Sequence, residues 1–218
     1  MCSEVKKDGL GRLISLLAFS MAFAYIEAVV VVYLRAVFYP DGFIFPIENF
    51  AEMAGAGKYV LIEIGREAAT VVLVFTASLL MAGSRRRRLA YFLIIFAVWD
   101  IFYYVWLKML LDWPVSIMDW DVLFLIPVTW AGPVLAPVIT SITMLFIAAV
   151  LLTNKPISVN RSRAAGFAAS MLMIIVLFCI AGLKITEPDY AAYFSWPVFV
   201  ALHAAIIILL IRCVDKQN

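Results

Sequence analysis

The chain has 218 residues, of which 66% are hydrophobic and 15% charged, and its formal net charge is +2. Soluble domains contain about 45–50% apolar and about 25% charged residues. This composition excludes an ordinary soluble protein and predicts an integral membrane protein. So small a net charge gives no indication of a nucleic-acid partner, and the three cysteines show no metal-ligand spacing.

Six apolar runs are long enough to cross a bilayer, which takes about 20 helical residues. They predict an all-α, polytopic helical bundle in a single transmembrane domain covering residues 1–218. The predicted helices are residues 10–38, 58–82, 89–111, 122–153, 164–183 and 197–213. Residues 42–57 hold too few apolar side chains to cross, so they predict a segment at the interface or one that dips in partway.

Helix 4 is the irregular member of the predicted set, because it is longer than one crossing requires. Pro127, Pro133 and Pro137 fall in its first half. Proline removes a backbone donor and kinks a helix, and bent backbone at membrane depth survives only inside protein or beside a cavity. The pattern predicts a proline-broken or re-entrant start, followed by a straight span from about Pro133.

The orientation follows from the basic residues, since cytoplasmic loops carry an excess of lysine and arginine. With the N-terminus inside, twelve of the 17 lysines and arginines fall on the cytoplasmic side. These are Lys6, Lys7, Arg12, Arg85 to Arg88, Lys155, Arg161, Arg163, Arg212 and Lys216. The chain is therefore predicted to lie in a bacterial inner membrane with both termini in the cytoplasm.

Helix 2 carries Glu63, Arg66 and Glu67 within its first three turns. A charge at the bilayer centre costs about 2.5–3.5 kcal/mol on insertion scales. Glu63, Glu67 and Thr70 follow an i, i+4, i+7 spacing and share one helix face. We expect this face to point away from lipid, towards partners on other helices.

Three further polar residues lie at a similar predicted depth: Glu27 on helix 1, Asp100 on helix 3 and His203 on helix 6. Asp100, Tyr104 and Lys108 share one face of helix 3 at i, i+4, i+8. All fall in the middle or outer half of the membrane. The sequence therefore predicts a convergent polar site near the outer leaflet.

The charge sum of this predicted site is negative. Four acids give −4, Arg66 returns +1, and Arg35 and Lys108 near the outer surface still leave −1. Buried charge of this kind needs compensation. One hypothesis is a divalent metal, which suits oxygen-rich ligands, held by Glu27, Glu63, Glu67, Asp100 and His203. The others are protonated acids in a relay or coupled transport, and purely structural ion pairs.

The sequence does not specify a reaction. In an enzyme, Glu63 or Glu67 would be a general base or ligand, Asp100 and His203 would complete the cation site, and Tyr104 would donate to an oxyanion. The substrate would be lipid-like or a small periplasmic molecule. The alternatives are a small transporter or substrate-binding membrane subunit, and a non-catalytic subunit of a membrane complex. A homo-oligomer is compatible with each alternative.

Overall fold

A computed structural model describes residues 2–40, 42–47 and 57–214 of the chain. Within these residues there are six α-helices, a two-stranded sheet and one 3-10 turn at Tyr190–Tyr193. The helices are α1 (Cys2–Phe38), α2 (Gly57–Met81), α3 (Arg85–Leu111), α4 (Leu135–Leu152), α5 (Arg161–Gly182) and α6 (Trp196–Val214), and the strands are β1 (Trp120–Phe124) and β2 (Trp130–Pro133).

Five of the helical segments in the described residues are long and apolar enough to cross a membrane. They contain α1, α3, α4, α5 and α6, so the chain is a multi-pass membrane protein. The predicted bounds of α2, α5 and α6 agree with the structure to within three residues. The segment predicted to lie at the interface, residues 42–57, falls mostly outside the described residues.

Residues 122–134 are not helical, so the predicted start of helix 4 at residue 122 is wrong, whereas the interruption expected before about Pro133 is present. Trp120–Phe124 and Trp130–Pro133 instead pair as an antiparallel hairpin, with Trp120 opposite Pro133 and an irregularity between Val122 and Phe124. Valine, phenylalanine and tryptophan favour strands, and proline at a strand end removes no needed ladder bond. The straight span expected from about Pro133 is confirmed as α4.

The four consecutive arginines belong to a helix rather than to the loop before it, since α3 begins at Arg85 and not at residue 89. Ser84 caps the helix by accepting a hydrogen bond from the Arg87 N–H at 3.3 Å. Arg86 donates from Nε to the Leu151 carbonyl at 2.7 Å, at the end of α4. Long basic side chains can reach helix-terminal carbonyls in this way.

Two compact units make up the chain. The first comprises Met1–Gly42, Thr70–Asp119 and Val134–Leu152, and in it α3 packs against both α1 and α4. Its core includes fully buried Leu16, Ala90 and Ile95. The Trp106 indole N–H donates to the Met21 carbonyl at 3.0 Å, which ties α3 to α1.

The second unit comprises Phe43–Ala69, Trp120–Pro133 and Thr153–Asn218. Here α5 packs against α6 and against β2. An aromatic cluster fills the core, with Phe178 on α5 next to Phe199 on α6 at 6.0 Å between ring centres. The Ile47 N–H donates to the Ile185 carbonyl at 2.9 Å, which holds the segment before α2 against the end of α5.

Candidate functional site

Glu67 contacts the tip of the hairpin in the second unit. The Leu125 backbone N–H donates to its carboxylate, with N···O distances of 2.9 and 3.1 Å to the two oxygens. Glu67 is buried, at 6% exposure. Leu125 directly follows β1, so its N–H lies beyond the hydrogen bonds that pair β1 with β2. The acid therefore satisfies a backbone donor that would otherwise lack a partner in an apolar segment.

The hairpin also contacts α5. A Cβ at Gly182 would lie 1.9 Å from the Thr129 carbonyl oxygen, so only glycine fits this close approach. Trp130 stacks on Phe178 with ring planes 4° apart. The buried Trp130 indole N–H has no hydrogen-bond acceptor among the described residues. The hairpin tip thus contacts both an acid on α2 and a glycine on α5.

Glu63, one turn before Glu67, forms an ion pair with Arg66, which directly precedes Glu67. The Arg66 Nε–H donates to the Glu63 carboxylate at 2.9 Å, and the pair is partly buried. Both residues belong to α2, so this contact neutralises charge within one helix and joins no second element. Such i, i+3 pairs contribute a few tenths of a kcal/mol in exposed helices, about 0.2–0.5 kcal/mol.

His203 lies in α6 of the second unit and is 7% exposed. Its Nδ1 is 3.0 Å from the Phe199 carbonyl, one turn earlier in the same helix. The imidazole ring also packs against the Phe199 ring, with centres 4.3 Å apart. A ring nitrogen bonded to a backbone carbonyl carries the proton, which fixes the tautomer and leaves Nε2 to accept.

In the first unit, Asp100 accepts a hydrogen bond from a side chain on another helix. The buried Ser141 hydroxyl, on α4, donates to Asp100 Oδ2 at 2.7 Å. This hydrogen bond joins the two helices α3 and α4 through side chains alone. The sequence predicted Asp100 as a site residue, whereas Ser141 gave no pattern that singled it out.

Glu27 lies on α1, also in the first unit. It is 6% exposed, and Thr70 donates to Glu27 Oε2 at 3.3 Å. Thr70 is the third member of the α2 face that the i, i+4, i+7 spacing predicted. The prediction that this face finds partners on another helix is confirmed for Thr70.

A cationic and aromatic group lies near one end of the first unit. The Arg35 guanidinium carbon is 3.8 Å from the centre of the Trp113 ring, in the range of cation–π contacts. Tyr104 is buried and packs against the same indole, with ring centres 6.4 Å apart. Burial raises the pKa of nearby Tyr39, and the charge of Arg35 acts in the opposite direction.

Lys108 pairs with Asp112, at 2.7 Å between Nζ and Oδ1. Asp112 ends α3 in the left-handed conformation, with φ of 52°. The hydrogen bond and the positive charge of Lys108 lower the pKa of the Asp112 carboxyl. This ion pair is exposed, so it differs in kind from the buried contacts of Glu67 and Asp100.

The described residues contain no group of three or more histidine, cysteine, aspartate or glutamate side chains arranged to hold a metal ion. The predicted five-residue ligand set draws Glu27 and Asp100 from the first unit and Glu63, Glu67 and His203 from the second. Its convergence stays a prediction. The buried acids have hydroxyl, guanidinium and backbone N–H partners instead.

No sequence pattern distinguishes three of the groups described here: the Leu125 N–H, the Ser141 hydroxyl and the Trp130 indole. Nearly every residue has a backbone N–H, so residue type does not show which one needs a partner. The Gly132-Pro133 pair and the clustered prolines were the available signal for non-helical backbone here. No protein-family model, curated protein or solved structure matches this chain.

Proposed function

We propose that this multi-pass membrane protein binds a proton at its buried carboxylates, with Glu67 as the central group. We place it in a bacterial inner membrane with both termini in the cytoplasm, and the acids in the outer half of the bilayer. The distribution of lysine and arginine supports this orientation. The proton is the first choice, and a divalent metal at the same acids is the competing occupant.

The Glu67–Leu125 hydrogen bond is the observation that carries this proposal. Glu67 lies ten residues into α2, a rise of about 15 Å. Leu125 lies five residues beyond Trp120, a length of about 17 Å in a strand. If α2 and the hairpin both start at the outer surface, the acid and the backbone donor reach the same depth. Backbone at that depth requires a protein partner, and Glu67 provides one.

The contacts favour a proton over a metal. Metal sites in proteins collect several ligands around one point. Here the hydrogen bond to Glu67 comes from a neutral backbone N–H, and Arg66, the cation next to it in the chain, is paired with Glu63. A neutral donor does not compensate the full charge of an acid inside a membrane, and one bound proton does.

Two uses of such a site follow from its chemistry. In a membrane-embedded enzyme, Glu67 is a general base towards a lipid-like or small periplasmic substrate. In a transporter, proton binding at Glu67 changes the hydrogen bond between its carboxylate and the Leu125 N–H, which holds the hairpin. The hairpin favours transport, because irregular backbone at membrane depth lines the binding sites of many transporters.

Infrared difference spectroscopy of the purified protein, between acidic and alkaline buffer, tests the proton site. We expect a pH-dependent carboxylic-acid stretch in the wild type that Glu67→Gln reduces. Glutamine keeps a carbonyl that accepts from Leu125, so the variant removes the proton site and retains the hairpin contact. Glu187→Gln is the matched control, since Glu187 is an exposed acid near Lys184.

Metal analysis of the same samples separates the two occupants. If the wild type contains one divalent ion per chain and Glu67→Gln contains none, the occupant of the site is a metal and not a proton. A spectrum and a metal content that are both unchanged in Glu67→Gln would end the proposal. Proton uptake by vesicles containing wild type and Glu67→Gln then distinguishes transport from catalysis.

A further inference from the structure

A cavity of about 430 Å³ lies in the first unit, where α2 ends and α3 begins. The cavity is open rather than enclosed, as a groove at the protein surface is. Two arginines, one serine and four apolar side chains line it: Arg85, Arg88, Ser78, Phe75, Leu79, Leu89 and Phe92. None of these residues belongs to the acidic contacts described above.

The arginines of this run differ in what they contact. Arg86 is engaged, because it donates to the carbonyls of Val150 and Leu151. Arg88 donates from Nε to the Ala82 carbonyl at 3.0 Å, which leaves the two amino groups of its guanidinium for another acceptor. Arg85 is exposed and has no acceptor among the described residues. Two cationic groups with free donors therefore border one cavity.

The other walls of the cavity are apolar and accessible. Phe75 is 53% exposed and Leu89 is 50% exposed. Phosphate alone would satisfy the arginines but not this hydrocarbon surface. A ligand with an anionic head and a hydrocarbon chain matches both parts. Basic pockets between transmembrane helices on the cytoplasmic side bind such lipid headgroups, and the arginine run is predicted to lie on that side.

We propose that this cavity binds an anionic phospholipid of the inner leaflet. Its phosphate group lies between Arg85 and Arg88, and one acyl chain runs along Phe75 and Phe92. The lipid thereby joins the end of α2 to the start of α3, next to the bond between Arg88 and Ala82. The site depends on membrane insertion and on no property of Glu67.

Native mass spectrometry of the protein released from uncharged detergent tests the proposal. Phosphatidylglycerol is the anionic probe and phosphatidylcholine is the zwitterionic comparison. We expect preferential retention of phosphatidylglycerol, about fivefold weaker in Arg85→Gln and about 25-fold weaker in the double variant with Arg88→Gln, from about 1 kcal/mol per arginine. Arg87→Gln is the matched control, because Arg87 carries the same charge in the same run and does not line the cavity.

An uncharged micelle has no anionic surface, so general attraction to the membrane is removed. Equal losses in Arg87→Gln and Arg85→Gln would overturn the proposal, and so would equal retention of the two lipids. Displacement of phosphatidylglycerol by millimolar inorganic phosphate would show an anion site without a lipid chain, which also overturns it. Arg85→Gln alone suffices if Arg88→Gln unfolds the protein, because the described residues contain no hydrogen bond or ion pair of Arg85 that the substitution would break.

Discussion

Half-buried Asp100 and buried Glu67 use different kinds of partner. Asp100 in the first unit accepts from a side chain, Ser141, whereas Glu67 in the second unit accepts from the backbone at Leu125. Substitution can remove both the donor and the acceptor of a hydrogen bond between side chains. It cannot remove a backbone N–H, which stays without a partner when its acceptor is lost. The first contact is therefore replaceable, and the second is required for as long as the hairpin keeps its position.

The largest expected effect comes from the contact between the hairpin and Gly182 on α5. Gly182→Ala would place a methyl group 1.9 Å from the Thr129 carbonyl oxygen, and backbone cannot move away cheaply. We expect a loss of about 3 kcal/mol in the free energy of unfolding, measured by denaturant titration in micelles. Gly65→Ala is the control, because nothing lies within 4 Å of that position and alanine favours a helix by about 1 kcal/mol. Equal stability of the two variants would contradict the packing described here.

The comparison of the two acids is tested directly by alanine variants. Glu67→Ala leaves the Leu125 N–H buried without an acceptor, at a cost of about 1–3 kcal/mol. The double variant with Asp100→Ala and Ser141→Ala removes the donor and the acceptor of the hydrogen bond between them, and we expect a smaller loss than in Glu67→Ala. The same denaturant titration measures both. A double variant less stable than Glu67→Ala would show that Asp100 carries the greater structural role.

The smallest effect belongs to the exposed pair of Lys108 and Asp112. The pKa of Asp112 in the folded protein lies below its ordinary value of 3.8, so the unfolded chain binds this proton first as the pH falls. Its stabilising contribution is present above pH 3.8 and is lost as the pH falls through the lowered pKa. Lys108→Met should flatten the acid limb of a stability–pH curve slightly, and high salt should do the same to the wild type. A steeper limb in Lys108→Met would refute the assignment.

The helices could be predicted from the sequence because a membrane crossing needs a long apolar run, and length alone marks it. The bounds of α5 and α6 show this. The hairpin could not be predicted, since a short apolar run of four to eight residues has no period that separates strand from buried helix. Prolines at 127 and 133 indicated irregular backbone without specifying its form.

The site was predicted only in part for a related reason. Charged residues are rare in apolar helices, so the sequence alone indicated Glu67 and Asp100 as candidate site residues. Their partners are chosen by packing, and neither a serine on α4 nor a backbone N–H is distinctive in sequence. Lys108 illustrates the limit: it shares a helix face with Asp100, yet it pairs with Asp112 at the helix end.

The hairpin register has a practical consequence for inserting epitope tags. Strand side chains alternate between faces, so one added residue in β1 would exchange the faces of every residue up to the turn and shift the Leu125 N–H away from Glu67. The connector at residues 153–156 is exposed and joins two helices without strand pairing. A reporter peptide inserted there should be tolerated, whereas the same peptide between Trp120 and Phe124 should abolish expression.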